Sequence, residues 1–184
     1  MKTVLITGAS SGIGYHICEK LISEGMLVIG ISRSKASINH KNFIHYEQNL
    51  MDISATEKLI REILKEHEPD IIINNAGSGY YGLHEELNPA KIHELVTTNL
   101  EVPFLITNLA LRNLKKKSGA IINISSVTAG KSNPHGAAYG ATKAGLSSFS
   151  CSIFDEARKA GVRVITIEPD MTDTNLYRNA DFGP

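Results

Sequence analysis

An α/β fold is expected, with a doubly wound parallel sheet and helices on both faces. Short apolar runs alternate with longer stretches of helical periodicity. The apolar runs are continuous, as in strands buried on both faces. A glycine-rich turn follows the first run directly.

Residues 2–7, KTVLIT, read as the first strand, and GASSGIG then breaks it. Ile13, Ile17, Leu21 and Ile22 recur at helical spacing over residues 13–24, and Gly25 stops that helix. LVIGIS (27–32) is a second strand and FIHYEQ (43–48) a weaker third. Ser54 opens the next helix, with Glu57 three positions on as a capping box and Leu59, Ile60, Ile63 and Leu64 as its buried stripe. DIIINNAG (70–77) is a fourth strand that ends in polar residues and glycine. Asn88-Pro89 starts a helical region that runs to about Lys117, interrupted near Pro103. AIINISS (120–126) is a fifth strand, a helix covers about 137–160, and RVITIEP (163–169) is a sixth strand.

The 184 residues suit one domain, 1–184, with a real core. Lys+Arg and Asp+Glu are both 19, which argues against a nucleic-acid partner. The basic run Lys115-Lys116-Lys117 reads as a helix end, where cations suit the dipole. No apolar run is long enough for a membrane helix, and no signal peptide is visible, so a cytoplasmic protein is expected. Cys18 and Cys151 fall in helical patterns and read as buried reduced thiols. The seven histidines show no metal-ligand spacing, and no metal is assigned.

The turn TGASSGIG, residues 7–14, sits between a strand and a helix. Gly8 allows a sharp turn. Gly12 and Gly14 let the backbone approach a bound group, and the helix N-terminus offers N–H donors to phosphate. This points to a nucleotide. The motif Thr7 to Gly14, the Asn-Asn-Ala-Gly of residues 74–77, and the set Asn99, Ser126, Tyr139 and Lys143 together resemble the short-chain dehydrogenase/reductase family. Tyr139 follows Ser126 by thirteen residues and precedes Lys143 by four, as in that family's pattern. The resemblance covers nearly the whole chain. It implies a Rossmann-type sheet of strand order 3-2-1-4-5-6, with the ligand beyond the carboxyl ends of the strands.

From spacing alone, Tyr139 and Lys143 read as a pair on one exposed helix face. The stretch HGAAYGATKAG around them is almost bare of other large side chains, which leaves room for cofactor and substrate. A phenol ordinarily titrates near pH 10, and lowering that by three units needs about 4 kcal/mol. One cation ~4 Å away at an effective dielectric near 20 supplies about that much. The resemblance implies that Tyr139 exchanges a proton with a carbonyl or alcohol oxygen, and that Lys143 lowers its pKa and holds the nicotinamide ribose. It implies that Ser126 bonds the substrate oxygen, with Ser125 as the competitor that spacing disfavours. It also implies that Asn99 interrupts its helix and holds a water; without the resemblance Asn99 reads as a solvent-facing helix residue.

The same resemblance places the cofactor against Gly8, Ser10, Ser11, Gly12, Ile13, Gly14, Ser32, Arg33, Asn49, Leu50, Asn75, Ala76, Gly77, Tyr139, Lys143, Pro169, Thr172 and Thr174. Ser32 stands where NAD-selective members carry an acidic residue, and Arg33 follows it. NADP(H) is therefore expected in preference to NAD(H). The substrate is expected to be a small carbonyl or alcohol compound. A homodimer or homotetramer is expected, with Phe104, Phe149 and Phe154 supplying apolar surface if they face outward. Tyr80, Tyr81 and His135 are candidates for the pocket lining, or plain surface residues.

Two departures stand out. Pro169-Asp170 replaces the family's usual Pro-Gly, and Asn49 replaces a frequent acidic residue. Pro184 comes before the family's substrate-covering segment and seventh strand, so these are expected to be missing or truncated. Two other readings compete: a non-enzymatic NADP(H)-binding sensor on the same fold, and a nucleotide-sugar epimerase or dehydratase. Intact Ser126, Tyr139 and Lys143 argue against the first; the glycine spacing and residues 74–77 argue against the second.

Overall fold

The computed structural model describes residues 1–172 and Leu176. Six strands form one parallel sheet: β1 (Thr3–Thr7), β2 (Leu27–Ser32), β3 (Phe43–Glu47), β4 (Ile71–Asn74), β5 (Ala120–Ile124) and β6 (Arg163–Ile167). Their order is β3-β2-β1-β4-β5-β6, as expected. Alternate residues of the central strands feed two cores. Leu5, Ile29, Ile31, Ile72 and Ile121 point to one face; Val4, Ile6, Val28, Ile73 and Ile124 point to the other. This explains why these strands read as unbroken apolar runs. β3 lies at an edge and is only half-buried, in keeping with its weaker pattern.

The helices α2 (Ile53–His67), α4 (Val102–Lys117) and α5 (Ala137–Ala157) cover the first face, and α1 (Gly12–Ser23) covers the second. On that second face Ile165 and Ile167 of β6 remain exposed. α1 carries Cys18 in its core, where burial pushes the thiol up to about 12. Cys151 is exposed on α5, so the expectation of two buried thiols holds only for Cys18. Asp52, and not Ser54, caps α2: its side chain accepts from Ala55 N at 2.9 Å, and Ser54 already lies inside the helix. Asn88 caps α3 (Pro89–Val96) by accepting from Ala90 N at 2.8 Å.

The expected interruption near Pro103 is a π-turn at Thr97–Glu101, between α3 and α4. Pro103 has no N–H for the Asn99 carbonyl four residues back, so the regular ladder cannot pass through this turn. Pro103 itself sits in the first turn of α4, where a missing N–H costs least. Lys115, Lys116 and Lys117 form the last turn of α4, as expected.

Candidate active site

A cleft of about 400 Å³ opens beyond the carboxyl ends of the strands. The turn after β1 forms one end of it. Gly8 and Gly12 take positive φ, +74° and +54°, which suits glycine. A Cβ at Gly14 would collide with the Gly8 carbonyl oxygen and the Asn75 amide. Ser11 precedes α1 with an extended backbone, and its side chain does not cap the helix. Gly12, Ile13 and Gly14 of the first turn line the cleft, and among the described residues no side chain accepts from their N–H groups. This glycine cradle at a helix N-terminus fits a pyrophosphate.

The cradle is tied to β4. Asn75 Nδ2 donates to Thr7 O at 2.9 Å and to Gly8 O at 3.3 Å. Thr7 Oγ1 accepts from Asn75 N at 3.2 Å and Ala76 N at 3.0 Å. Asn75 thus acts first as a strut under the turn, a role that its place in the motif did not reveal.

At the end of β2, Ser10, Ser32, Arg33 and Ser34 line the cleft wall. Ser34 Oγ donates to Ser10 Oγ at 3.3 Å, and Arg33 is exposed. Asn49 and Leu50 line the adjoining wall.

At the other end lie Ser126, Tyr139 and Lys143. All three are almost wholly buried, although they line the cleft. The Lys143 Nζ is 5.8 Å from the Tyr139 ring centre and donates to Ile124 O at 2.8 Å. Burial lowers its pKa from 10.5 to about 8. Ser126 Oγ accepts from Thr128 N at 3.2 Å and from Thr128 Oγ1 at 3.0 Å. With its lone pairs so engaged, the Ser126 hydroxyl keeps its proton for an acceptor in the cleft. Ser125 also borders the cleft, but its hydroxyl is engaged within the protein: Oγ donates to Lys143 O at 3.0 Å and pairs with Ser147 Oγ at 2.8 Å.

Asn99 is fully buried in the π-turn and does not face solvent. Its Oδ1 accepts from Ser78 N at 2.8 Å; its Nδ2 donates to Ser78 O at 3.0 Å and Thr142 Oγ1 at 3.1 Å. A Cβ at Gly77 would stand 3.4 Å from Asn99 Oδ1 and 3.6 Å from Lys143 Nζ, so Gly77 keeps the space beside both open.

Gly8, Ser10, Ser11, Gly12, Ile13, Gly14, Asn75, Ala76, Gly77, Pro169 and Thr172 also line this cleft. Thr174 lies outside the described residues. Tyr80 lines the cleft, and the Tyr81 ring lies 5.6 Å from that of Tyr139. His135 does not belong to the lining: it is exposed, with φ +61°, and its carbonyl accepts from Gly82 N at 2.7 Å. Asp170 lines the cleft, and its carboxylate accepts from Met171 N at 2.8 Å.

Sequence reading missed Glu94, on α3. It accepts from Ser78 Oγ at 3.0 Å and Tyr80 OH at 2.8 Å, and Lys91 lies 3.5 Å away. Burial works to raise its pKa, but the Tyr80 and Ser78 hydrogen bonds and the Lys91 charge outweigh it and hold the carboxyl below its usual range. Only the Lys91 pairing at i, i+3 is visible in the sequence, and it resembles any surface pair.

A family model for short chain dehydrogenases matches residues 2–182. A 3-oxoacyl-[acyl-carrier-protein] reductase of Buchnera aphidicola is 34% identical over 183 residues, 95% of this chain and 75% of its own. Two solved structures are similar. The ligand-free aldohexose dehydrogenase of Thermoplasma acidophilum has a TM-score of 0.88 at 29% identity, covering 97% of this chain and 70% of that one. The 3-ketoacyl-(acyl-carrier-protein) reductase of Brucella melitensis, complexed with NADH, has a TM-score of 0.90 at 25% identity, covering 97% and 79%.

Proposed function

The chain belongs to the short-chain dehydrogenase family, and from that premise we propose that it is an NADP(H)-dependent oxidoreductase interconverting a carbonyl compound and its secondary alcohol. One observation carries the reading. A single cleft joins the glycine cradle to the buried set of Ser126, Tyr139 and Lys143.

In this reading the cradle at the start of α1 holds the pyrophosphate, with Asn75 and Ala76 bracing it from β4. Asn49 and Leu50 flank the adenine. Ser10, Ser32 and Arg33 hold the 2′-phosphate. Tyr139 and Lys143 hold the nicotinamide ribose, and Gly77, Pro169 and Thr172 border the ring. When bound, the dinucleotide supplies the hydride donor or acceptor.

Ser126 donates its free proton to the substrate oxygen and orients it. Tyr139 gives that oxygen a proton in reduction and takes one in oxidation. Lys143, held in place by Ile124 O, favours phenolate by its charge. Asn99 Oδ1 takes one bond from Ser78 N and borders the space that Gly77 keeps open beside Lys143 Nζ; that oxygen, or the Asn99 carbonyl to which Pro103 offers no N–H, would hold a water for proton exchange with Lys143.

The choice of NADP(H) rests on this chain's own residues, since the Brucella relative was captured with NADH. Arg33 offers a paired guanidinium contact, and the wall of Ser10, Ser32, Arg33 and Ser34 has no carboxylate. Losing a charge-assisted contact costs roughly 1.5–3 kcal/mol, about ten- to a hundredfold in affinity. Arg33→Ala should weaken NADPH by that factor and leave NADH almost unchanged in a cofactor-fluorescence titration; equal losses for both would refute the NADP(H) assignment.

A homodimer or homotetramer is part of the same proposal. Phe104 and Phe154 are exposed on α4 and α5, and the Phe104 ring packs 4.2 Å from that of the half-buried Phe149. A single protomer mass in light scattering at micromolar concentration would count against it. Two free thiols suit a cytoplasmic setting. The reaction itself is tested by incubating the protein with a carbonyl panel and NADPH or NADH. Turnover favouring NADPH is expected. Tight NADPH binding with no turnover of any compound would favour the sensor reading.

A further inference from the structure

The structure brings two side chains together that neither the motif nor the cleft lining connects. Ser32 Oγ lies 2.7 Å from His45 Nε2 on β3, and 2.9 Å from Ser34 O. Ser32 is buried at the end of β2 and lines the cleft beside Ser10, Arg33 and Ser34. His45 is absent from the lining and stands behind Ser32, half-buried, with its ring stacked 6.0 Å from Phe43.

Proton bookkeeping decides what this contact does. A serine hydroxyl has one proton and two lone pairs. Ser34 O can only accept, so the Ser32 proton goes to it. His45 Nε2 must then be the protonated ring nitrogen and the donor to Ser32 Oγ. The opposite tautomer would draw the Ser32 proton onto the imidazole. It would leave Ser34 O without that bond and turn bare lone pairs toward the cleft. Only the first arrangement satisfies both short contacts.

We propose that His45 is a positioning residue for cofactor selection, fixing Ser32 as a hydrogen-bond donor to the phosphate on the adenosine ribose. The inference rests on the NADP(H) reading above. With His45 donating from behind, the Ser32 proton can swing from Ser34 O to a phosphate oxygen while Oγ stays in place. Arg33 supplies the charge and Ser32 the direction. Two charged groups near His45, Glu47 and Lys35, act on it in opposite senses.

The test compares binding of 2′,5′-ADP and 5′-AMP by calorimetry, so no turnover is needed. Wild type should prefer 2′,5′-ADP. His45→Leu should weaken 2′,5′-ADP about three- to tenfold, the order expected for one misdirected hydrogen bond, and leave 5′-AMP unchanged. His45→Gln carries an N–H donor that reaches the Nε2 position, and it should restore the preference to within about twofold. Should His45→Leu not fold, His45→Asn serves: it is polar, but its amide stops short of Ser32, and it should lose the preference. In a Ser32→Ala background the His45 exchanges should have no further effect on selectivity. An unchanged ratio in His45→Leu or His45→Asn, or equal weakening of both probes, overturns the role of His45 while the NADP(H) reading stands. A wild type that does not distinguish the two probes overturns both.

Discussion

The turn between β1 and α1 and the helix α5 border the same cleft, and they are made of opposite materials. The turn works through main-chain groups: two positive-φ glycines, a third that admits no Cβ, and a helix N-terminus. None of these titrates. The α5 end works through side chains, with Tyr139, Lys143, Asn99 and Ser126 taken almost wholly out of water. There a buried ammonium opposes folding, because desolvation disfavours charge. Fold and function thus agree at the turn and compete at α5.

The largest break is expected at α5. Tyr139→Phe removes one hydroxyl and should lower kcat by about 10²–10⁴, the usual worth of a placed general acid. Cofactor affinity should stay close to wild type, because most proposed contacts lie at the turn. Steady-state kinetics with a parallel binding titration would check this. A variant keeping a tenth or more of wild-type kcat would remove Tyr139 from the proton step.

Lys143→Met should separate stability from activity. The fall of Lys143 from 10.5 to about 8 corresponds to about 3 kcal/mol of folding cost while it is charged. About 1.5–3 kcal/mol is offset by its charge-assisted bond to the Ile124 carbonyl, which Met leaves unpaired. The variant should therefore be inactive, yet at pH 7 as stable as wild type or more stable by up to about 1.5 kcal/mol. The sign with pH follows from linkage. Below pH 8 both folded and unfolded chains carry the proton, and the cost is complete. Between pH 8 and 10.5 the folded chain gives it up first, so wild type recovers and the advantage of Met shrinks. Urea unfolding at pH 7 and pH 10 measures both, and a Met variant whose stability relative to wild type does not fall between pH 7 and pH 10 would contradict the argument.

Gly14→Ala is the matching change at the turn. A methyl group there meets the Gly8 carbonyl and the Asn75 amide, so the cradle must open. Overpacking of this kind costs about 1–3 kcal/mol. Here stability and dinucleotide affinity should fall together, and the stability loss should not vary between pH 7 and pH 10. A variant of normal stability that has lost only cofactor binding would mean that the strut from Asn75 is not part of the fold.

This contrast also explains what the sequence made legible. The parallel sheet and the glycine turn were readable because apolar runs and glycine spacing report backbone needs directly, whereas the strand order came from the family resemblance. Tyr139 and Lys143 were readable as a pair because four residues on a helix make one face. Asp52 was not read as the cap of α2, since Ser54 and Glu57 offered an equally good local pattern two residues later. Glu94 and His45 were not legible at all. Each meets its partner only through tertiary packing, Glu94 across to Ser78 and Tyr80, and His45 across the β2–β3 pair to Ser32.

The smallest expected effect separates two neighbouring serines. Ser125 and Ser126 follow β5 side by side, and spacing alone chose between them. The hydrogen bonds give a physical reason. Ser125 gives its proton to Lys143 O and shares a contact with Ser147, whose hydroxyl can turn to Glu168 Oε1 at 3.1 Å. Ser125 borders the cleft, but its hydroxyl is engaged within the protein. Ser126 accepts twice from Thr128 and keeps its proton for a ligand. Ser125→Ala should therefore cost about 1 kcal/mol of stability, the worth of one hydrogen bond, with kcat within about twofold of wild type. Ser126→Ala releases Thr128 N and Oγ1, so it should also cost about 1 kcal/mol of stability, but it should lower kcat at least about tenfold, the loss of one donor to a charged oxygen. Kinetics and urea unfolding on the two variants give four numbers. If Ser125→Ala is the slower enzyme, the roles are exchanged and the proton bookkeeping at Ser126 is wrong.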